Sequence, residues 1–294
     1  MSAATGAATG TPSGAATGPS LTARLLRGET LGRFAYVAFC TLVFVFLVAP
    51  IVVIVPLSFN AEPYFTFTEG MLRLDPEAYS LRWYREILEN EVWTRSLVNS
   101  LVIGVSATAL ATTLGTLAAL GLASGALPAR RLVMGLLISP MITPVIISAA
   151  GMFFFYSSIG LGQTHLGLIL AHTALGIPFV VITVTATLSG FDSNLTRAAA
   201  SLGAPPLYAF RRVQLPLIAP GVISGALFAF ATSFDEVVVV LFMAGVEQRT
   251  IPRQMWAGIR EQISPAILAV ATFLIVFAGL LLVTVAWLRR RGRR

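Results

Sequence analysis

The chain has 294 residues, of which 56% are hydrophobic and only 11% are charged, and its mean hydropathy is +0.83. A soluble domain of this composition would expose large apolar patches, so an ordinary soluble fold is excluded and an integral membrane protein is predicted. The net charge is +7. No basic surface interleaved with aromatic residues accompanies this charge, which favours contact with anionic lipid headgroups over nucleic-acid binding.

Residues 1–20 are almost entirely Ala, Gly, Thr, Ser and Pro. Such a segment has little to bury, so residues 1–30 are predicted to form a disordered cytoplasmic tail, or residues 1–20 stem from a start placed too far upstream. The apolar run that follows is too long for the core of a signal peptide, and no small-residue cleavage pattern comes after it. We therefore interpret that run as a retained membrane span.

Residues 31–294 are predicted to form one all-α membrane domain with six transmembrane helices. A helix needs about 20 apolar residues to cross a bilayer. Apart from one acidic pair, the runs of this length contain no Asp, Glu, Lys or Arg. The predicted spans are residues 34–59, 97–123, 132–155, 166–188, 221–243 and 266–288.

Glycine and proline divide these apolar runs. Residues 157–165 contain two glycines and a glutamine that favour a tight turn, which separates the third span from the fourth. Pro140 and Pro144 in the third span and Pro178 in the fourth each lack a backbone donor, so kinks are expected there.

The arginines predict the orientation in the membrane. All 20 basic residues are arginine: 13 lie in the two tails and in the loops after the second and fourth spans, and 7 lie in the other loops. Basic residues are enriched on the cytoplasmic side. Both termini of this multi-pass protein are therefore predicted to be cytoplasmic.

The residue types that are missing limit the chemistry. Because the chain contains no lysine, it has no phosphate-binding loop ending in Gly-Lys-Ser/Thr and is not expected to hydrolyse ATP itself. His165 and His172 have no carboxylate or cysteine nearby in sequence, which favours a loop-end and a packing role over a metal site or a catalytic pair. We predict no catalytic residue, no metal and no cofactor in this chain, and assign any ATP and Mg²⁺ to a partner ATPase.

The longest loop on the predicted cytoplasmic side, residues 189–220, is predicted to be structured. One of the polar residues at 192–194 can cap a helix over residues 195–202, Gly203 can end it, and two prolines follow. Pro220 is expected just before the next span. A short, exposed helix with a docking face is the predicted result.

This loop resembles the signature of the permease subunits of type I ATP-binding-cassette (ABC) importers, which is Glu-Ala-Ala, three residues, Gly, nine residues, then Ile-x-Leu-Pro. The corresponding residues here are Arg197, Ala198, Ala199, Gly203, Val213, Leu215 and Pro216. Arg197 stands where the family has glutamate, so the family's acidic contact is not expected in the same form. The resemblance implies a cytoplasmic coupling helix that sits in a cleft of the ATPase subunit.

Three further stretches extend the resemblance to the polyamine group of these permeases, the spermidine and putrescine importers. They are residues 79–84 with 93 and 99–101, residues 234–239, and residues 250–256. The resemblance implies a type I importer permease fold in the bacterial inner membrane and transport by alternating access. It further implies a second homologous permease, an ATPase dimer, a cationic small-molecule substrate and an external solute-binding protein, which would dock on residues 60–95 and 245–264.

The adjacent carboxylates of Asp235 and Glu236 are unusual in an apolar run. An ionised carboxylate in the middle of a membrane helix costs about 2.5–3.5 kcal/mol, so the pair needs water, a cationic partner or protonation. Our hypothesis is that at least one of them lines the substrate pathway and attracts a cationic substrate. The alternative is a structural contact to the partner permease or to Arg249 or Arg253.

Other functions remain open at this point. Permeases for opines, amino acid derivatives, phosphonates and other small solutes share much of the same pattern. A secondary transporter driven by an ion gradient would use Asp235 or Glu236 as its proton or sodium site. This function does not explain the long cytoplasmic loop. A membrane scaffold without transport explains neither feature.

Overall fold

A computed structural model describes residues 28–124, 127–261 and 264–291. Of the predicted tail, residues 1–27 lie outside the described part of the chain. Two compact units are present, Met1–Ile54 and Val55–Arg294, and the second contains both candidate functional regions.

The described residues are helical nearly throughout, and the isolated β-bridge between Asn60 and Tyr79 is the only strand-like pairing among them. The helices are α1 (Gly28–Leu57), α2 (Glu69–Leu72), α3 (Arg82–Glu89), α4 (Glu91–Ala123), α5 (Arg130–Ile142), α6 (Val145–Ser158), α7 (His165–Leu188), α8 (Asn194–Ser201), α9 (Pro206–Phe234), α10 (Val238–Met243), α11 (Ile251–Glu261) and α12 (Ala266–Arg291).

Four described helices, α1, α4, α7 and α9, are long and apolar enough to cross a membrane, and the bent pair α5–α6 makes a fifth if it is counted as one span. The last helix is apolar over Ala266–Leu280. The predicted all-α membrane fold is confirmed. The exact count of six spans and the cytoplasmic side of both termini remain predictions.

The third predicted span, residues 132–155, is bent far more sharply than by a slight proline kink, because the chain turns by 103° between α5 and α6. Thr143 adopts an extended conformation (φ −70°, ψ 136°) and the next residue is Pro144. Proline disfavours helical geometry in the residue before it and lacks the N–H that would continue the helix. By contrast, Pro178 is buried inside α7, which remains one helix, and the predicted turn before α7 is present, with Gly160 and Gln163 at positive φ.

The predicted bounds of the fifth span, residues 221–243, are wrong. The helix begins at Pro206, so Pro220 lies inside it, and a five-residue π-helical stretch, Phe210–Gln214, falls near its start. The helix then ends at Phe234, and the short helix α10 begins only at Val238. The acidic pair therefore lies at a break between two helices instead of in the middle of one.

The core forms where α4, α7 and α9 pack together through small side chains. Gly176 on α7 faces α4 and α9 at once: a Cβ built on it would lie 3.1 Å from the methyl carbons of both Ala111 and Ala229. Membrane helices approach closely at such small residues because few other forces attract them. This packing fixes the end of α9, where the acidic pair begins.

Candidate functional site

The first candidate region is the short helix α8 with the residues at its two ends. Asp192 Oδ1 accepts a hydrogen bond from the Asn194 N–H at 2.9 Å, and the Asp192 carbonyl accepts one from the Leu195 N–H at 3.2 Å. Free N–H groups at the start of a helix need such partners. Ser193, at the helix boundary, makes no side-chain cap bond, so Asp192 is the capping residue among the three predicted candidates.

The C-terminal end of α8 is closed by Gly203, which has a φ of +80°. The Gly203 N–H donates to the Ala200 carbonyl at 2.9 Å, and the Ala204 N–H donates to the Ala199 carbonyl at 3.0 Å. This pair of bonds is the Schellman motif, which requires a left-handed residue at the position of the glycine. The prediction that Gly203 ends this helix is confirmed.

Replacement of Gly203 by alanine is expected to loosen the end of α8, since a side chain in the left-handed region costs about 1–2 kcal/mol. Hydrogen exchange of the amides of residues 199–204 should speed up by roughly tenfold for each 1.4 kcal/mol. Gly190→Ala is the matched control, because its added Cβ would meet only the Thr187 carbonyl at 3.8 Å and its φ is not positive. Equal exchange in both variants would show that the motif does not hold the helix.

The surface of α8 and of the segment that follows it is available to a partner. Arg197 is exposed, and its guanidinium donates only a long hydrogen bond, 3.3 Å, to Ser193 Oγ within the described residues. Leu202 is 88% exposed, and Leu207 and Tyr208 are also exposed. Apolar and arginine side chains presented together outside the predicted spans are typical of a protein interface.

The predicted coupling residues fall into two groups. Four of them lie on α8 and at its end: Arg197, Ala198, Ala199 and Gly203. Leu215 and Pro216 lie on α9 instead, where Leu215 packs on the core around Ile218 and Pro216 is exposed. The short helix α8 also contacts the first turns of α9, so the two groups lie next to each other.

The second candidate region is the break between α9 and α10. Asp235 is exposed at the end of α9, and its N–H donates to the Ala231 carbonyl at 3.0 Å. Glu236 is partly exposed, and its carboxylate accepts a hydrogen bond from the Val239 N–H at 2.9 Å, which caps α10. Asp235 is therefore the more accessible of the two carboxylates in this chain.

The arginines that the sequence offered as partners of this pair make other contacts. Arg253 Nη1 donates to the Ala244 and Gly245 carbonyls, and Arg249 Nη1 donates to Gln254 Oε1. Within the described residues, no ion pair of 4.0 Å or less joins either arginine to Asp235 or Glu236. An internal ion pair therefore does not explain the two carboxylates.

A buried polar contact just before the break was not predicted. His172 Nδ1 and Ser233 Oγ are hydrogen-bonded at 2.8 Å, and both side chains are buried. The contact ties α7 to the last turn of α9, two residues before Asp235. The sequence signal was a lone histidine in one apolar run and one of two serines in another, and only the fold brings them together.

Asn99 near the start of α4 is a second contact that the sequence did not reveal. Its Nδ2 donates to the carbonyls of Glu247 and Arg249 at 2.7 and 2.9 Å, and its Oδ1 accepts from His165 Nε2 at 3.0 Å. Arg95, one turn earlier, pairs with both Glu91 and Glu247. These contacts hold the loop after α10 against α4 and α7.

Asn99→Ala is expected to release this loop, because two carbonyl groups and His165 each lose a partner at about 1–3 kcal/mol per buried group. The measurement is tryptic cleavage after Arg249, which should become several-fold faster in the purified protein. Val98→Ala is the matched control, since Val98 is exposed one residue earlier on the same helix. Identical cleavage of both variants would contradict the role assigned to Asn99.

A helical membrane chain with a short exposed helix between two candidate spans fits the membrane component of a transport system. Residues 111–294 match the family described as "Binding-protein-dependent transport system inner membrane component". The chain belongs to this family and is a transport permease, as the resemblance implied.

Curated relatives agree with this assignment. The spermidine/putrescine transport system permease protein PotC of Haemophilus influenzae is 31% identical over 255 residues, which cover 87% of this chain and 96% of the relative. The putrescine transport system permease protein PotI of Escherichia coli K12 is 29% identical, over 81% of this chain and 84% of the relative. The trehalose transport system permease protein SugB of Mycobacterium tuberculosis is 30% identical, over 65% of this chain and 69% of the relative.

Solved structures confirm the fold. A chain of a bacterial ABC transporter involved in the import of the acidic polysaccharide alginate gives a TM-score of 0.68 at 13% identity, over 90% of this chain and 97% of that chain. A chain of the bacterial alginate ABC transporter in complex with an alginate pentasaccharide-bound periplasmic protein gives a TM-score of 0.65 at 16% identity. The match covers 91% of this chain and 98% of that chain. The predicted importer permease fold is therefore correct.

Proposed function

We propose that this chain is one of two permease subunits of an ATP-driven importer that moves polyamines, such as spermidine and putrescine, across the bacterial inner membrane by alternating access. In this proposal both termini are cytoplasmic, and a homologous second permease completes the pore. ATP and Mg²⁺ bind to a separate ATPase dimer, and an external solute-binding protein delivers the substrate.

The observation that carries the substrate assignment is the exposed acidic pair at the break after α9. Asp235 and Glu236 have no ion-pair partner within 4.0 Å in the described parts of the chain. Carboxylates in a membrane segment require a compensating group. A polyamine that passes the break supplies that positive charge for the time of its passage.

The relatives favour a cationic solute. The names of PotC and PotI give spermidine and putrescine, and those proteins match over a larger share of this chain than SugB, whose name gives trehalose. A neutral sugar would give the two carboxylates no electrostatic role. The acidic pair and the longer matches therefore support the same class of substrate.

The coupling role proposed for α8 rests on its exposed surface and on its contact with α9. The helix is capped at both ends, so it can move as one body, and the side chains of Arg197 and Leu202 are exposed. ATP binding would close the ATPase dimer and draw α8 with it. The start of α9 would then carry this movement toward the acidic pair at the other end of the same helix.

A solute panel tests this proposal. Uptake of labelled spermidine and putrescine is measured beside trehalose, amino acids, opines and a phosphonate, in cells that carry the complete transporter and lack other polyamine importers. Polyamine uptake that only unlabelled polyamines inhibit is the expected result. ATP-dependent uptake of another solute alone would retain the transporter class and reject the polyamine assignment.

A further inference from the structure

A positively charged cavity lies between α10, α11 and the loop that joins these two helices. Its volume is about 400 Å³. The lining residues are Leu241, Arg249, Arg253, Trp256, Ala257 and Arg260. Three of these six side chains are guanidinium groups, and none carries a negative charge.

Arg253 is held in a fixed orientation inside this cavity. Its Nη1 donates to the carbonyls of Ala244 and Gly245 at 2.8 and 3.0 Å, which leaves its other N–H groups without a protein partner among the described residues. Arg249 donates only to Gln254 Oε1, at 3.3 Å. A fixed guanidinium with free donors is suited to bind a planar anion through two parallel hydrogen bonds.

The cavity has an unbalanced charge. No carboxylate whose side chain the structure describes lies within 4.0 Å of Arg249, Arg253 or Arg260, and nearby Glu247 pairs with Arg95. Partial burial, together with the positive charge of Arg249, lowers the pKa of Arg253. An anion between the guanidinium groups would relieve this repulsion.

We propose that Arg249, Arg253 and Arg260 form the binding site for a carboxylate side chain of the external solute-binding protein. The inference rests on the proposed function, which places residues 245–264 outside the cell membrane. Within the docking surface predicted over residues 245–264, the proposal assigns the contact to this one cavity. The complementary group on the binding protein is a carboxylate.

The surroundings of the cavity fit a protein partner. Trp256 and Ile259 are 48% and 50% exposed on α11, outside the predicted spans. Tryptophan and arginine are the residues most enriched at the energetic centres of protein interfaces, where apolar neighbours exclude water from the charged contact. A carboxylate that enters this cavity would be bound by charge and shielded by the indole.

The test uses the complete transporter in nanodiscs of neutral lipid and the purified solute-binding protein of the same system. In the double variant Arg249→Gln/Arg253→Gln, the Kd for the binding protein is expected to rise tenfold or more, and its salt dependence is expected to weaken. Arg260→Glu is the second variant. The Arg260 side chain makes no hydrogen bond to a described residue, so its replacement removes no contact that holds the loop. Its Kd should rise severalfold.

Arg130→Gln is the matched control. Arg130 is exposed and lies in the loop after the second predicted span, on the predicted cytoplasmic side and outside both predicted docking loops. Its removal should leave the Kd unchanged, and saturating binding protein should restore the transport rate of the Arg260→Glu variant.

Unchanged Kd in both cavity variants would overturn the inference. An unchanged Kd with an altered solute preference would also overturn it and would assign the cavity to the solute. An effect that appears only with anionic lipid would assign the cavity to a lipid headgroup. If the wild-type transporter does not bind the binding protein at all, the proposed function is rejected, and the proposed carboxylate-binding site is rejected with it.

Discussion

Gly225→Ala is expected to force two core helices apart and to prevent normal assembly. A Cβ on Gly225 would lie 2.5 Å from Thr183 Oγ1 and 2.8 Å from the Cα of Val180. The threonine side chain can rotate away, but the backbone of α7 cannot. Gly221, one turn earlier, meets α7 in the same way, with 2.2 Å to Thr187 Oγ1, so the two glycines form a continuous close contact of the G-x-x-x-G type.

Overpacking of this kind costs about 1–3 kcal/mol, and the loss of close packing along α7 places Gly225→Ala at the upper end. The expected result is a clear drop in the melting temperature of the purified transporter and a smaller monodisperse fraction in detergent. Gly151→Ala is the matched control, because its Cβ would have no neighbour within 4 Å. Equal melting temperatures for the two variants would contradict the packing described for α7 and α9.

Asp235→Asn is expected to reduce polyamine uptake by tenfold or more and to leave assembly intact. The amide keeps the size of the side chain and removes its charge, and the Asp235 side chain makes no contact of 4.0 Å to an arginine in the described structure. A tenfold loss corresponds to about 1.4 kcal/mol. This is well below the roughly 4 kcal/mol of a charge pair at 4 Å near a protein surface.

Glu236→Gln should reduce uptake less than Asp235→Asn, because Glu236 is less exposed and its amide oxygen can still accept the bond from Val239. Glu69→Gln removes one carboxylate from a surface ion pair and serves as the control. Uptake is measured with the binding protein at saturation, because Glu69 lies in a predicted docking loop, and together with the yield of assembled transporter. Loss of assembly without a specific transport defect would assign the acidic pair a structural role.

The features that could be predicted from the sequence are those with local causes. The turn before α7 depends on glycine at Gly160, and the end of α8 depends on glycine at Gly203, since both positions require a positive φ. The fold family followed from the spacing of a few residues in one loop. These features depend on residues close together in the chain, so they can be predicted from the sequence.

The breaks in the third and fifth spans could not be placed from hydropathy. The apolar run continues through Pro144, and a proline in a membrane helix produces anything from a slight kink to a full break; Pro178 leaves α7 unbroken. After Phe234 the chain leaves the helix at the acidic pair, and Glu236 caps the next one. Hydropathy averages over such local hydrogen bonds and therefore cannot show where a helix is interrupted.

The contacts that position the candidate sites could not be predicted from the sequence either. Asn99 meets the backbone at Glu247 and Arg249, and His172 meets Ser233. Each pair joins residues far apart in the chain, and single polar residues in apolar helices do not reveal their partners. Only the packing of α4, α7 and α9 brings them together.

The proposed function requires that this permease imports polyamines with energy from ATP. It is tested by uptake of labelled spermidine into proteoliposomes that contain the complete transporter, with the binding protein outside and ATP on the ATPase side. One arm omits ATP, and another collapses the ion gradients with ionophores. We expect uptake to stop without ATP and to continue without the gradients, and uptake that requires only an ion gradient would overturn the proposed function.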